Sequence, residues 1–449
     1  MGLAVGARFV GPDGRQGTVR QVRHKYVARL HYVMEHHEAR FPDINGFRRV
    51  PVDFKQPGGL DRLIAEIKAR HDWIREVESQ YLSSPIPLGV LAHRLGVDTI
   101  EAAAGLAGHS VRLKVATGNL QERDAGSRTV RRNARRLCVL DLLAFWSAWR
   151  LGALEAIQAT CGPVHLPQSV LDRLWARRER FDRYARDGHK SAGYDNGKIV
   201  MHEISAEAIG SLRDDVDRAI KWAEQNATIS PVLASDDIPA VLREYLRLGQ
   251  SDTFDSLLLA RQAEALLVTD DLPTRELDRA IGGEGGAWLH VVFDVALNSG
   301  HIDFDRYVRW SANLVDAGHG YMSITGAMLA HAAQMDAAGS ADAPGFLFRA
   351  LSQMIGGRGA EPTSHIQATV GCLRVLWMDV GTIGFRQPVT GHLLRQLIRE
   401  RENDYATILR SVFASTRDLS ALTEYVLAWL RGHFMLEAVI DQQSYPVEP

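Results

Sequence analysis

The spacing of apolar and polar positions changes period several times along the chain. Leu257, Leu258 and Ala260 lie in a run without glycine or proline, which predicts a helix opening near Asp255. Leu266-Leu-Val268 is a short apolar run bounded by polar residues, and it predicts a buried strand ending in Thr269-Asp270-Asp271. Leu137-Cys-Val-Leu140 has the same form, ends in Asp141 and opens into a further helix. Val111-Arg-Leu-Lys-Val-Ala116 alternates like a half-buried strand. With the polar helix that follows and the strand ending at Asp141, it predicts a parallel pair joined by a right-handed crossover. Gly193-Tyr-Asp-Asn-Gly197 before Lys198 marks a hairpin, and Gly282-Gly-Glu-Gly-Gly286 reads as a turn into a last strand over Ala287–Phe293.

The flanks have other rhythms. Residues 1–56 look β-rich, with Ala7-Arg-Phe-Val-Gly11, a turn at Pro12-Asp-Gly14 and then Gly17-Thr-Val-Arg-Gln-Val22. Leu60 to Tyr81 carries apolar residues at Leu63, Ile64, Ile67, Trp73, Ile74 and Val77, a helix that stops before Pro85-Ile-Pro87. Two short amphipathic helices follow, Leu88–Gly96 and Asp98–Leu106, with Asp98 as N-cap of the second. From about Asp294 helical patterns dominate, broken at Ala337–Gly345 and at Gly356-Gly-Arg-Gly359; no internal repeat is visible. The expected division is 1–56, a linking helix over 57–84, a main unit over 85–300 and a helical extension over 301–449.

Composition sharpens this only in part. A chain of 449 residues exceeds the usual single domain, so two or three folding units are expected. Lys plus Arg number 52 against 54 Asp plus Glu, a balance that argues against a dedicated polybasic binder. Three widely spaced cysteines support neither a disulfide framework nor a zinc knuckle. The opening Met-Gly-Leu-Ala-Val-Gly-Ala-Arg lacks the order of a signal peptide, and no apolar run is long enough for a membrane span. A soluble cytoplasmic protein is the expectation.

The candidate chemistry lies in the acids. Parallel sheets carry their reactive groups beyond the carboxyl ends of strands, where Asp141, Asp270 and Asp271 fall. Adjacent residues at a strand end point opposite ways, so only one of Asp270 and Asp271 is expected to face a site. Asp141, Asp255 and Asp271 could converge as ligands of Mg2+ or Mn2+, with Thr269 helping to position them. Clustered acids repel one another when empty, and a divalent ion relieves that penalty and activates water. Arginines concentrate before the first strand, Arg132 and Arg136 among them, and again at Arg173, Arg177 and Arg178 beside Trp175. Cations interleaved with aromatics suit single-stranded RNA, and Arg275 lies close enough to the last acid to touch a scissile phosphate. His36-His37 lacks the spacing of a helical metal pair; in a strand the two would point apart.

Taken in order, Val139-Leu-Asp141, Asp255 and Thr269-Asp270-Asp271 resemble the PIN-domain family of metal-dependent ribonucleases. Val164-His-Leu-Pro-Gln-Ser-Val-Leu-Asp172-Arg173-Leu174 resembles the family's next strand and Ser-Val-Leu helix start, but Arg173 stands where the family has Glu. Asp172, one residue earlier, is about 100 degrees round a helix from that position. His24–Leu30 with Phe41-Pro-Asp-Ile-Asn45 resembles the small C-terminal domain of Gre transcript-cleavage factors, as it occurs fused to PIN domains in bacteria. The resemblances imply an α/β fold: a PIN-like, Rossmann-type parallel sheet flanked by helices, a small α+β N-terminal module and an α-helical extension. They imply an endoribonuclease with catalytic Asp141, Asp255, Asp271, Thr269 and, as further candidates, Asp270 and Asp172. A toxin or phage-defence role belongs to the same resemblance. Two rivals stay open: a degenerate scaffold that binds without cutting, and an adaptor that meets RNA polymerase through the N-terminal module. A homo-oligomer also stays open.

Overall fold

A computed structural model describes residues 4–11, 14–19, 21–22, 24–40, 60–195, 197–232, 238–240, 242–243, 251–339, 344–357 and 361–440. The expected turn residues Pro12-Asp13, the Phe41–Asn45 part of the Gre resemblance and parts of both C-terminal loops lie outside them. The chain divides into two compact units, one within 1–73 and 192–201, the other within 74–191 and 202–449.

The first unit holds an antiparallel pair, β1 (Arg8–Val10) and β2 (Gln16–Thr18), in which Phe9 faces Gly17. A helix follows, α1 (Lys25–Arg40), so His36-His37 lies on a helix where a strand was expected. Tyr26, Leu30 and Val33 recur at helical spacing, a period masked by the reading of the whole segment as β-rich. Helix α2 (Asp61–Ser83) leads out of this unit and ends before Pro85.

The second unit is built on β3 (Cys138–Leu140), β4 (Val164–Pro167), β7 (Thr228–Ser230) and β8 (Leu266–Val268). A separate two-stranded sheet, of which residues 192–201 belong to the first unit, pairs β5 (His189–Asp195) with β6 (Lys198–Ile204), as the Gly193–Gly197 turn predicts. The main sheet has the order β7-β4-β3-β8, and every pair in it is parallel. β3 and β8 are buried along their whole length, which explains why both read as continuous apolar runs. The chain passes from β3 outward to β4 and β7, then returns to β8 on the other side of β3. The order therefore reverses between β3 and β8, and a crevice at the carboxyl ends of this pair is the favoured place for a ligand.

Helices α3 (Leu88–Leu95) and α4 (Thr99–Gly108) precede the sheet, and Asp98 caps α4 by accepting from Glu101 N at 2.8 Å. Then come α5 (Leu120–Arg132), α6 (Leu142–Leu151), α7 (Leu154–Cys161), α8 (Gln168–Tyr184) and α9 (Ala206–Asn226). Helix α10 (Asp255–Gln262) packs against β3 and β8, and α11 (Leu272–Ala280) leaves the end of β8. Val90, Val139, Phe254, Leu257 and Leu267 share one buried cluster, so α3 is part of the same core as the sheet.

Two strand expectations are corrected. Val111–Ala116 is not a strand: Leu113, Val115 and Ala116 are buried, but Leu113 makes only one isolated bridge, to His319. The parallel partners of β3 are β4 and β8. Ala287 makes a single bridge to Val268, and helix α12 (Leu289–Asn298) then begins where a strand was expected. Helices continue to Val439, among them α13 (Phe304–Asp316), α14 (Gly326–Gly339), α15 (Phe346–Ser352) and α16 (Pro362–Met378). No helix among the described residues is long and apolar enough to cross a membrane.

Candidate active site

In the β3–β8 register Leu140 faces Val268, so the residues after each strand emerge side by side. Asp141 N bonds to Val268 O at 3.3 Å, and the Thr269 hydroxyl donates to Asp141 Oδ2. The same hydroxyl accepts from Asp271 N at 3.2 Å, so one threonine ties the two acids to each other. Asp141 Oδ1 accepts from Ala144 N at 2.7 Å, capping α6. Asp271 Oδ2 accepts from Leu88 N at 2.9 Å, at the start of α3, and from the Thr274 hydroxyl at 2.5 Å. Its other oxygen, Oδ1, is buried without a hydrogen-bond partner.

Both carboxyls line a crevice of about 80 Å³, with Arg173, Ser169, Thr253 and Thr274 among its other walls. Burial pushes Asp141 up to about 7, against the hydrogen bonds from Thr269 and Ala144 and helped by the charges of Asp270 and Asp271. Burial likewise raises Asp271 to about 6, opposed by Thr274, the Leu88 amide and Arg275. Two acids held this way bind protons near neutral pH, and a cation placed between them would favour their charged forms.

Asp270 points to the opposite side. Its Oδ1 accepts from Leu289 N at 2.8 Å and its Oδ2 meets His319 Nε2 at 2.9 Å, both buried. Asp271 is thus the member of the pair that faces the crevice.

Asp255 does not join the two. At the first turn of α10 the crevice wall runs through Thr253, Ser256 and Leu257, and Asp255 is not part of it. Ser256 Oγ donates to Leu140 O at 3.4 Å, so the residue before it is rotated about 100 degrees away from the end of β3. Among the described residues no three His, Cys, Asp or Glu side chains come together as a metal cluster. Asp172 is also outside the crevice: it is exposed and accepts from Gln168 at 2.9 Å, whereas Ser169, Val170 and Arg173 form the wall.

The expected RNA contacts are redistributed. Arg275 is fully buried, donating to Val115 O at 2.6 Å, Glu122 at 3.0 Å and Thr269 O at 3.1 Å, with its guanidinium over Trp288. A phosphate does not reach it; its work is to hold the Thr269 peptide. Arg177 Nη1 donates to both Asp98 oxygens, at 2.9 and 3.2 Å, and Arg178 pairs with Asp217 at 2.7 Å and Asp182 at 3.0 Å. These ion pairs give both cations carboxylate partners. Trp175 is exposed, with the Arg178 guanidinium over its ring. Arg132 pairs with Glu284 at 3.0 Å, and both Arg132 and Arg136 precede β3, at the end of the strand away from Asp141. Arg173 alone of the named arginines lines the crevice.

Sequence reasoning missed Thr274, Ser169, Thr253 and the Leu88 amide as crevice groups. Thr274 had a signal: Asp271 is at the N-cap of α11, and a hydroxyl three residues on can reach back to it. The Leu88 amide had none, because it comes from 183 residues earlier in the chain.

A parallel sheet whose order reverses beside two tied carboxyls defines an α/β domain with a crevice at its switch point. Residues 139–280 match the family described as the PIN domain associated with the TPR-GreAB-C-PIN system, so this part of the chain is a PIN domain. No curated protein and no solved structure matches the chain.

Proposed function

We propose that this protein is a divalent-metal-dependent endoribonuclease that hydrolyses single-stranded RNA at Asp141 and Asp271. The observation that carries the reading is the pair of buried carboxyls tied through Thr269 at the sheet's switch point, with Asp271 Oδ1 unpartnered. This donor set fits Mg2+ or Mn2+, because magnesium keeps several waters and takes one or two carboxylates. When bound, such an ion supplies a Lewis acid that activates water and offsets charge developing on the phosphate. The chain's own residues hold the arrangement. Thr269 and Ala144 orient Asp141, and Leu88 N and Thr274 orient Asp271.

Labelled single-stranded RNA with purified protein in Mn2+ or in EDTA tests this, with a duplex of the same sequence beside it. Cutting of the single strand in Mn2+ alone is the expected result; no cutting in Mn2+ would overturn the reading. A second reading rests on Arg173 standing where the family has Glu and on the absence of a three-member metal cluster among the described residues: a scaffold that binds RNA without cleavage. Arg173→Glu, which supplies the family's carboxylate, separates the two. A scaffold gains cleavage by that change, whereas an enzyme already active at Asp141 and Asp271 gains none. The family description names TPR and GreAB-C parts, which supports work alongside other proteins. We propose RNA polymerase as one partner, reached through residues 1–56; co-purification that survives their deletion would exclude that route.

A further inference from the structure

His319 lies 39 residues beyond the end of the PIN match at 280, yet it touches the strand-end residue Asp270. Its Nε2 meets Asp270 Oδ2 at 2.9 Å, and Leu289 N closes on Asp270 Oδ1 at 2.8 Å. Both side chains are out of contact with solvent. His319 Nδ1 is buried without a partner, so the ring meets its surroundings through Nε2 and Asp270. The backbone around it is equally fixed. Leu113 N donates to Gly318 O at 2.9 Å and Gly320 N to Leu113 O at 3.1 Å, forming the isolated parallel bridge between Leu113 and His319.

The sequence Gly318-His319-Gly320 is fitted to this seat. A Cβ on Gly318 would come within 2.8 Å of the Ala107 Cβ, and that residue has φ +93. A Cβ on Gly320 would meet Leu113 O at 2.7 Å. Only glycine on both sides lets the backbone approach closely enough for the imidazole to reach Asp270. Beyond this seat, the next peptide carries Asp271, whose carboxyl must point the other way. Arg275 holds Thr269 O on the same turn at 3.1 Å.

We propose that His319 is a positioning residue of the crevice: by holding Asp270 it sets the turn that aims Asp271 at the ligand. This rests on the reading of Asp271 as a metal-holding carboxylate. It makes the region after 300 part of the active unit, through a residue that touches neither metal nor RNA.

The test compares three full-length variants below their unfolding temperatures. His319→Leu removes the donor, His319→Gln offers an amide donor in its place, and Leu409→Ala destabilises a distant buried position. Two quantities are read: Mn2+ affinity without RNA, and hydrogen exchange in peptides covering 266–275. His319→Leu is expected to weaken Mn2+ about tenfold while His319→Gln stays within about threefold of wild type. Exchange in 266–275 should quicken in His319→Leu alone. If His319→Leu matches Leu409→Ala in both quantities, or Gln is as damaging as Leu, the role is overturned. If the wild type binds no Mn2+, the nuclease reading fails instead, and the exchange result alone decides the positioning role.

Discussion

Thr269 uses its single hydroxyl twice, donating to Asp141 and accepting from the Asp271 amide. Replacing it by valine keeps the volume and leaves both buried groups short of a partner. Thr269→Val should therefore cost about 1–3 kcal/mol, read as a lower urea midpoint. The acids make a pH prediction. Asp141 is raised from 3.8 to about 7, so the folded state binds its proton more tightly than the unfolded chain does. That contribution to stability is full below 3.8 and is lost as pH rises through about 7. In EDTA, the protein should unfold more easily at pH 8 than at pH 6. Asp141→Asn should flatten that difference, since asparagine still caps α6. A slope unchanged by the substitution would show that Asp141 ionises freely. Arg275→Met should destabilise by about 3–5 kcal/mol by taking the cation from Glu122 and the donor from the Val115 and Thr269 carbonyls, an effect on folding and not on RNA affinity.

At the scale of elements, runs bounded by polar residues were the legible ones. Leu137–Leu140 and Leu266–Val268 end in acids and are short, so strand and site could be read together. Alternation at Val111–Ala116 reported which side chains are buried and said nothing of pairing. Ala287–Phe293 was ambiguous because α12 is buried on nearly every side, and an apolar run of that kind fits a strand equally well. In the candidate site, Asp141, Thr269 and Asp271 were legible from order along the chain. The displacement of Asp255 and the burial of Arg275 were not, since each depends on which face of a helix meets the sheet. The glycine turn before α12 shows the same dependence on close contact. Gly286 has φ +58, and a Cβ there would meet Leu267 O at 2.4 Å. Gly286→Ala should destabilise by more than the ~1 kcal/mol usual for a strained φ, read as a lower urea midpoint, because β8 must move as well.

Across the whole molecule, the PIN match is narrower than the compact unit that contains it. The Leu88 amide and Val90 come from before residue 139, and α12 and His319 from after 280. A fragment of residues 139–280 should therefore show no cooperative unfolding transition, whereas 60–449 should keep one; circular dichroism during heating distinguishes them. The central proposal is narrower than the fold: that Asp141 and Asp271 are the working pair, with Asp255 outside it. Single-turnover cleavage of labelled single-stranded RNA in Mn2+, by wild type and by Asp141→Asn, Asp271→Asn and Asp255→Asn, tests it most directly. The account predicts losses of about 10²-fold or more for the first two and less than about tenfold for Asp255→Asn. Cleavage that survives either of the first two changes, or that fails equally with all three, would contradict it.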